Sequence, residues 1–471
     1  MDRIKFGTDG WRGIIAGNFT VANVARLTDA VALWLLNKYR ETSVVIGYDT
    51  RFGGKLFAGT AARVLAMKGI KVYLSSDFVT SPMVSYAVTW YGAGLGIMIT
   101  ASHYAFEYSG YKIKGEHGGP MMEEDIRNIE ALVSNDMNID LERIKWQNLV
   151  EQKTIEYVNI ASIYFERIKS NFDLDLIKKS GLRLAFDAMY GSSQNIIKQL
   201  LPGVKNFHCK TDPFFNHIPP EPTEENLKEF IDMIRSDGNF SCGLAIDGDG
   251  DRLALIDNRG NYIDSNHILL ILIHCLAAYR RLRGKVIIGY SSTSRAEKIC
   301  KHYGIDLQRV KIGFKEICRV MLKEDILVGG EESGGMMFRA HIAEKDGIFA
   351  NLKVLEMVAY YQKPLSEITA NLFKKYGDIH FNLVNYPCKD DEKGKAMANL
   401  SKVLPERVGG KKVETTTDMD GFKFVLEDGS WVLIRPSGTE PLLRLYGEAS
   451  SQVTLNQRIE AGKKLLEQAI K

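Results

Sequence analysis

Three segments of this chain repeat one pattern, and that pattern limits the fold more than anything else in the sequence. LGIMITASH (95–103), CGLAIDGDGD (242–251) and ILVGGEESGG (326–335) each run from an apolar strand into a short loop of small, hydroxyl or acidic residues. A second series, VVIGYDTR (44–51), LRLAFDAMYG (182–191) and KVIIGYSSTSR (285–295), reads as strand, polar loop, then helix. Between them lie helical stretches, such as 21–38 with Val24, Leu27, Val31, Trp34 and Leu35 at helical spacing, and 55–68 ahead of a strand at 70–74. Strands that alternate with helices predict an α/β architecture with partly parallel sheets. In open α/β sheets, ligands bind outside the carboxyl ends of the strands, so three such loops from three similar units can converge on one site.

A chain of 471 residues holds several domains at about 100–200 residues each. The units are expected at 1–148, 149–258, 259–373 and 374–471. The polar stretch 133–155 suits a linker, and Asn258-Arg259-Gly260 a turn before a new helical unit near 266. Past Lys374 the character changes to a small α+β domain, in which Asp428-Gly429 between alternating apolar runs signals a hairpin. The balance of 61 basic and 58 acidic residues leaves a net charge of +3, no footprint for a nucleic-acid partner. Six cysteines without a C-x-x-C pair imply neither a zinc site nor a disulfide framework. The start, MDRIKFGTDG, has no apolar signal region, and HILLILIHCLAAY (267–279) is too short to span a bilayer. A soluble cytoplasmic protein with no membrane partner is the expectation.

The loops carry the chemistry. In Asp247-Gly-Asp249-Gly-Asp251-Arg252, three alternating carboxylates separated by flexible glycines can turn toward one point, and oxygen ligands suit a hard divalent cation. A calcium EF-hand is excluded, because Arg252 and Asn258 stand where that loop needs Gly and Glu. Thr100-Ala-Ser102-His103 offers a nucleophile without the G-x-S-x-G elbow of a hydrolase, followed by the basic stretch Gly110 to Gly115 with Lys112 and Lys114. Read as extended backbone, the segment sends Ser102 and His103 to opposite faces, so His103 need not be a base for Ser102. Gly329 to Gly335, with Glu331 and Ser333, offers acceptors for sugar hydroxyls and lacks the Lys of a nucleotide-binding P-loop. Arg435-Pro-Ser437-Gly438-Thr439-Glu440-Pro441 reads as a phosphate clamp, and Phe6 to Gly13, with Arg12, is likewise glycine-rich and basic.

Taken together, GTDGWRG, TASH with its basic segment, DGDGDR, GFK (313–315), GEESGG with EKDGIFA, and RPSGTEP resemble the α-D-phosphohexomutases, the phosphoglucomutase/phosphomannomutase family, in order along the whole chain. The resemblance implies three similar mixed-sheet α/β domains plus a smaller α+β C-terminal domain, heart-shaped around a central active-site cleft. It implies that Ser102 carries a phosphoryl group and that Ser102, Asp247, Asp249 and Asp251 hold Mg²⁺. A hexose 1,6-bisphosphate would be intermediate and activator in the exchange of hexose 1-phosphate with hexose 6-phosphate. Glu331 and Ser333 would hold sugar hydroxyls, and Arg435, Ser437, Gly438 and Thr439 the non-reacting phosphate, with Arg252 and Lys315 also on the substrate. Arg12, His103, Lys112 and Lys345 are left as electrostatic partners or acid/base groups, and a monomer or homodimer is expected. The family's serine loop usually continues Asn-Pro, whereas this chain has Tyr104-Ala105, which implies a looser loop. The GFK and GEES loops with EKDG resemble members acting mainly on glucose phosphates, with phosphomannomutase or phosphoglucosamine mutase as alternatives. A metal-dependent sugar-phosphate phosphatase or serine hydrolase, and a non-catalytic sugar-phosphate binding protein, are the rival classes.

Overall fold

The computed structural model describes residues 4–135, 139–402, 404–438 and 440–470. Its strands fall into four sheets. The first holds β1 (Trp11–Ile14), β2 (Ser43–Tyr48), β3 (Lys71–Ser75), β4 (Leu95–Ile99), β5 (Tyr108–Gly115) and β6 (Ile155–Val158), in the order β1-β5-β4-β2-β3-β6. The second holds β7 (Leu184–Asp187), β8 (Lys205–Phe207), β9 (Cys242–Ile246), β10 (Leu253–Asp257) and β11 (Tyr262–Ile263), in the order β11-β10-β9-β7-β8. The third orders β12 (Lys285–Gly289), β13 (Leu307–Val310), β14 (Ile326–Gly330) and β15 (Met336–Phe338) as β13-β12-β14-β15.

These three sheets share one plan. Parallel strands form the body, and an antiparallel hairpin lies to one side, β4 with β5, β9 with β10 and β14 with β15, with β1 and β11 adding a further antiparallel strand outside β5 and β10. The loops of those hairpins are the three repeated motifs, at 100–107, 247–252 and 331–335. The serine, aspartate and glutamate loops therefore occupy equivalent positions in three equivalent units. The chain is a four-domain α/β protein with mixed sheets. The C-terminal sheet differs in being wholly antiparallel: β16 (His380–Pro387), β17 (Arg407–Val408), β18 (Lys411–Thr417), β19 (Phe422–Leu426), β20 (Trp431–Pro436) and β21 (Leu442–Ala449). Gly429, at φ 74°, makes the turn between β19 and β20 that the Asp-Gly pair signals.

Local chemistry sets the helix ends. Thr20 and Thr80 accept hydrogen bonds from Asn23 N and Met83 N at the starts of helices Val21–Lys38 and Ser81–Tyr91, and Gly92 closes the second in a left-handed turn. The apolar run 267–279 is core rather than membrane. Ile268 to Ile273 are all fully buried in one apolar cluster shared by the first three units. Among the described residues no helix is long and apolar enough to cross a membrane. All six cysteines are free thiols, four of them buried. The stretch 133–155 is not a bare linker: it forms the helix Trp146–Glu151 and enters β6, which pairs with β3. Leu149 and Ile155 tie it down by burial, two apolar anchors too few to register as a periodic pattern.

Candidate active site

The three hairpin loops and the segment before β1 meet at a cleft of about 970 Å³. Its wall includes Arg12, Ser102, His103, Arg252, Lys315, Glu331, Ser333 and Lys345. Eight of the residues singled out from sequence are thus brought to one cavity. Ser102 is almost fully buried, and its Oγ lies 3.1 Å from Asp247 Oδ2. The expectation for His103 needs correction. Ser102 has φ 55°, so the segment is not extended, and the His103 ring swings beside the hydroxyl with Nδ1 3.4 Å from Oγ. A left-handed serine costs of order 1 kcal/mol or more and persists only where neighbours hold it. Gly248 is one such neighbour: a Cβ there would stand 2.8 Å from the Ser102 carbonyl oxygen, so only glycine lets the acidic loop come this close.

Behind the cleft wall, Asp247, Asp249 and Asp251 are completely buried, and their ligand atoms lie within 4.8 Å of one another. Lys112 Nζ meets Asp9, Asp249 and Asp251 at 2.8, 2.8 and 3.0 Å, and Lys345 Nζ meets Asp251 at 3.0 Å. Burial opposes charge on both lysines, but the carboxylates overcome it and hold both ammonium groups above the usual range. Burial, together with repulsion from Asp249 and Asp251, pushes Asp247 well above the usual carboxylate range. The Oδ1 atoms of Asp249 and Asp251 are buried without a hydrogen-bond donor. Unpaired carboxylate oxygens around a repelled third carboxyl are the donor set that a hard divalent cation fits.

The remaining groups grade in charge across the cleft. Burial and the positive charges of Arg252 and Arg12 hold His103 well below its usual value, as a neutral imidazole. Burial and neighbouring Glu332 push Glu331 up to about 7, while its Oε1 accepts from Gly313 N at 2.8 Å. The tripeptide Glu344-Lys345-Asp346 stitches the units together: Glu344 pairs with Lys114, and Asp346 caps helix Gly347–Tyr361 and accepts from Tyr164 of the second unit.

The proposed clamp is the least assembled part. Arg435 Nε is bound to Asp420 Oδ1 at 2.9 Å, and the second oxygen of Asp420 accepts from Ile312 N of the third unit. Neither Arg435, Ser437 nor Gly438 lines the cleft. Thr439 lies outside the described residues. What this domain presents instead is Arg444, with Glu440 and Tyr446. Sequence reasoning passed over Arg444, Asp9 and Glu221, and named Tyr104 only as a departure in the serine loop, without its ring contact. Glu221 binds Arg252 at 2.8 Å, and Arg12 stacks on the Tyr104 ring at 4.5 Å. The one available signal was their position: Asp9 and Tyr104 lie inside motifs, and Glu221 in the proline-rich run Pro219 to Pro222. The serine loop is not left loose either, for Arg51 donates to the carbonyls of Ser102, Tyr104, Ala105 and Tyr108.

Known proteins resemble this chain along most of its length. Models of the phosphoglucomutase/phosphomannomutase family match in four pieces: α/β/α domain I at residues 3–140, domain II at 162–260, domain III at 264–376 and the C-terminal domain at 383–461. The chain belongs to the phosphoglucomutase/phosphomannomutase family. A phosphoglucomutase/phosphomannomutase of Thermococcus kodakarensis is 31% identical over 99% of both chains. A phosphoglucosamine mutase of Methanococcus maripaludis is 32% identical over 89% of this chain and 90% of its own. A Thermus thermophilus crystal structure, assigned as a phosphomannomutase, superposes with a TM-score of 0.85 at 29% identity over 99% of both chains. As a member of this family the protein is an enzyme, an isomerase of the phosphohexomutase class.

Proposed function

We propose that the enzyme interconverts hexose 1-phosphate and hexose 6-phosphate through a phosphorylated Ser102 and a hexose 1,6-bisphosphate. The observation that carries this is Ser102 itself: a buried hydroxyl, 3.1 Å from a buried triad of carboxylates, opening on a cleft rimmed by cations. Glucose phosphates are the first substrate proposed, on the GEES loop and the Thermococcus kodakarensis relative. Glucosamine phosphate is the second reading, favoured by Glu331, Glu332 and Glu221 in the cleft wall and by the Methanococcus maripaludis relative.

In this reading Asp247, Asp249 and Asp251, with the phosphate of Ser102, hold Mg²⁺. The cation supplies positive charge next to a phosphoryl group in transfer. The chain's own residues do the rest. Lys345 and Lys112, kept protonated by Asp251, Asp9 and Asp249, add fixed positive charge without gaining or losing protons. His103, with Nδ1 3.4 Å from Ser102 Oγ, is the group placed to exchange a proton there. Arg12, Lys315 and Arg252 line the path of the anionic substrate, and Glu331 and Ser333 receive its hydroxyls. The far phosphate is assigned to the turn with Arg435, Ser437, Gly438 and Thr439, joined by Arg444. A hydrolase has no use for such a second anion site, which is why the mutase is preferred to a phosphatase. The protein works in the cytoplasm, as a monomer or homodimer.

Two variants separate the loops. Arg435→Lys keeps the charge but loses the planar fork that fits phosphate oxygens. One charge-assisted hydrogen bond, about 1.5–3 kcal/mol, corresponds to roughly ten- to hundred-fold in affinity, so KM rises by that factor for every sugar. Glu331→Gln changes the ranking of glucose, mannose and glucosamine phosphates instead. A coupled assay of kcat/KM across these sugars is the check. If Arg435→Lys alters the ranking while Glu331→Gln lowers all sugars alike, the two loops are wrongly assigned.

A further inference from the structure

We infer that Arg51 is the residue that positions Ser102 for phosphoryl transfer, an inference that rests on Ser102 being the phosphorylated group. Arg51 lies just past β2, in the first of the strand–loop–helix repeats, and does not line the cleft. Its guanidinium has five N–H donors, and all five are used. Nη2 donates to the Ser102 and Tyr104 carbonyls at 2.5 and 2.6 Å, Nη1 to those of Ala105 and Tyr108 at 2.8 and 3.1 Å, and Nε to Asp49 Oδ2 at 3.2 Å. Three carbonyls of the serine loop and that of Tyr108, where β5 begins, thus converge on a single planar cation with no exposed side-chain surface.

Asp49 extends the same device. Its Oδ2 also accepts from Thr100 Oγ1, and Thr100 Oγ1 accepts from Ser102 N. Both the amide and the carbonyl of Ser102 are therefore tied to the Asp49–Arg51 pair. This explains how a serine keeps φ 55° without a proline beside it: the loop has lost its Asn-Pro turn, and its carbonyl groups are fixed from beneath. Tyr104, which stands in place of the asparagine, is held by its carbonyl to Arg51 and by its ring to Arg12.

The guanidinium is in turn positioned from across a domain boundary. The Phe215 ring of the second unit lies under it at 4.7 Å. Phe215, Asn216 and His217 all have positive φ, three successive strained residues, and the rings of Phe214 and His217 close on Phe106 of the serine loop at 5.4 and 5.0 Å. The serine is thus set by a stack that runs from Phe215 through Arg51 to the loop carbonyls. Lysine cannot replace this arginine, since one ammonium carries three donors at a single point.

The test mixes full-length wild type, Arg51→Lys and Phe215→Leu with excess glucose 1,6-bisphosphate. It follows phosphate on Ser102 by quench and intact mass, alongside steady-state kcat and KM with glucose 1-phosphate. A displacement of about 1 Å at a reacting atom costs about a hundred-fold. Arg51→Lys is expected to lower the phosphorylation rate constant and kcat by about that factor with KM near wild type. The final phosphorylated fraction stays complete, and Phe215→Leu moves the same rate constant less. A merely structural role lowers the fraction that reacts, by unfolding part of the sample, and leaves the rate constant of the remainder unchanged. That outcome overturns the inference, as does an Arg51→Lys rate equal to wild type. If wild-type Ser102 takes no phosphate, it is the proposed function that falls.

Discussion

Ser102→Ala is expected to abolish turnover and leave the fold in place. The side chain contributes two contacts, to Asp247 and His103, and no core burial of apolar surface, so circular dichroism and the melting temperature stay near wild type. The chemistry has no substitute. Thr100, in the same loop, is fully buried and committed to Asp49 and to Ser102 N, and Ser109 is equally buried within β5. A coupled assay reads the loss, and intact mass reads the missing phosphate. Near-wild-type activity in a folded variant contradicts the assignment of the nucleophile.

Removal of the divalent cation proposed for the acidic loop is expected to have an effect of similar size. Three buried carboxylates so close together repel, and the repulsion shows in Asp247, pushed up by burial and by Asp249 and Asp251. Lys112 and Lys345 answer part of that charge but leave one oxygen each of Asp249 and Asp251 without a donor. Exhaustive chelation is expected to stop turnover reversibly, with Mg²⁺ restoring it. Asp249→Asn is expected to lower the rate by orders of magnitude and to raise the Mg²⁺ concentration needed. Binding also has a readout apart from activity: at a hundred times Kd, a ligand of the folded state adds about 2.7 kcal/mol of stability. Mg²⁺ therefore raises the melting temperature of wild type and does so less in Asp249→Asn. Turnover unchanged after chelation would make the acidic loop a structural turn.

The parts of this molecule legible in the sequence are those set by local pattern. Apolar strands ending in small, hydroxyl or acidic residues announced the three site loops, though not that a returning antiparallel strand follows each, and alternation around Asp428-Gly429 announced the fourth domain's turn. Ser102, the three aspartates and Glu331 could be named because their motifs are contiguous. The misses depend on tertiary encounters. Nothing in a serine announces φ 55°, a conformation that serine seldom adopts, so the side on which His103 falls could not be read. Asp9, Glu221 and Arg444 are charged residues of ordinary appearance whose meaning comes from Lys112, Arg252 and the cleft. Arg435 is the converse case: a strong motif whose side chain is spoken for by Asp420 from β19's preceding turn. Arg51 stood inside a strand–loop–helix repeat that carries no chemical motif, and only the fold brings four carbonyls to it.

The central claim is that the phosphoryl group on Ser102 is the one that ends on the product. It is tested by loading Ser102 with labelled phosphate, mixing the enzyme with unlabelled glucose 1-phosphate, and quenching within a single turnover. The account predicts label first in glucose 1,6-bisphosphate and then at the 6-position of glucose 6-phosphate, at a rate no slower than kcat, while Ser102 regains unlabelled phosphate. Label released as inorganic phosphate, or retained on Ser102 while glucose 6-phosphate forms, would contradict it.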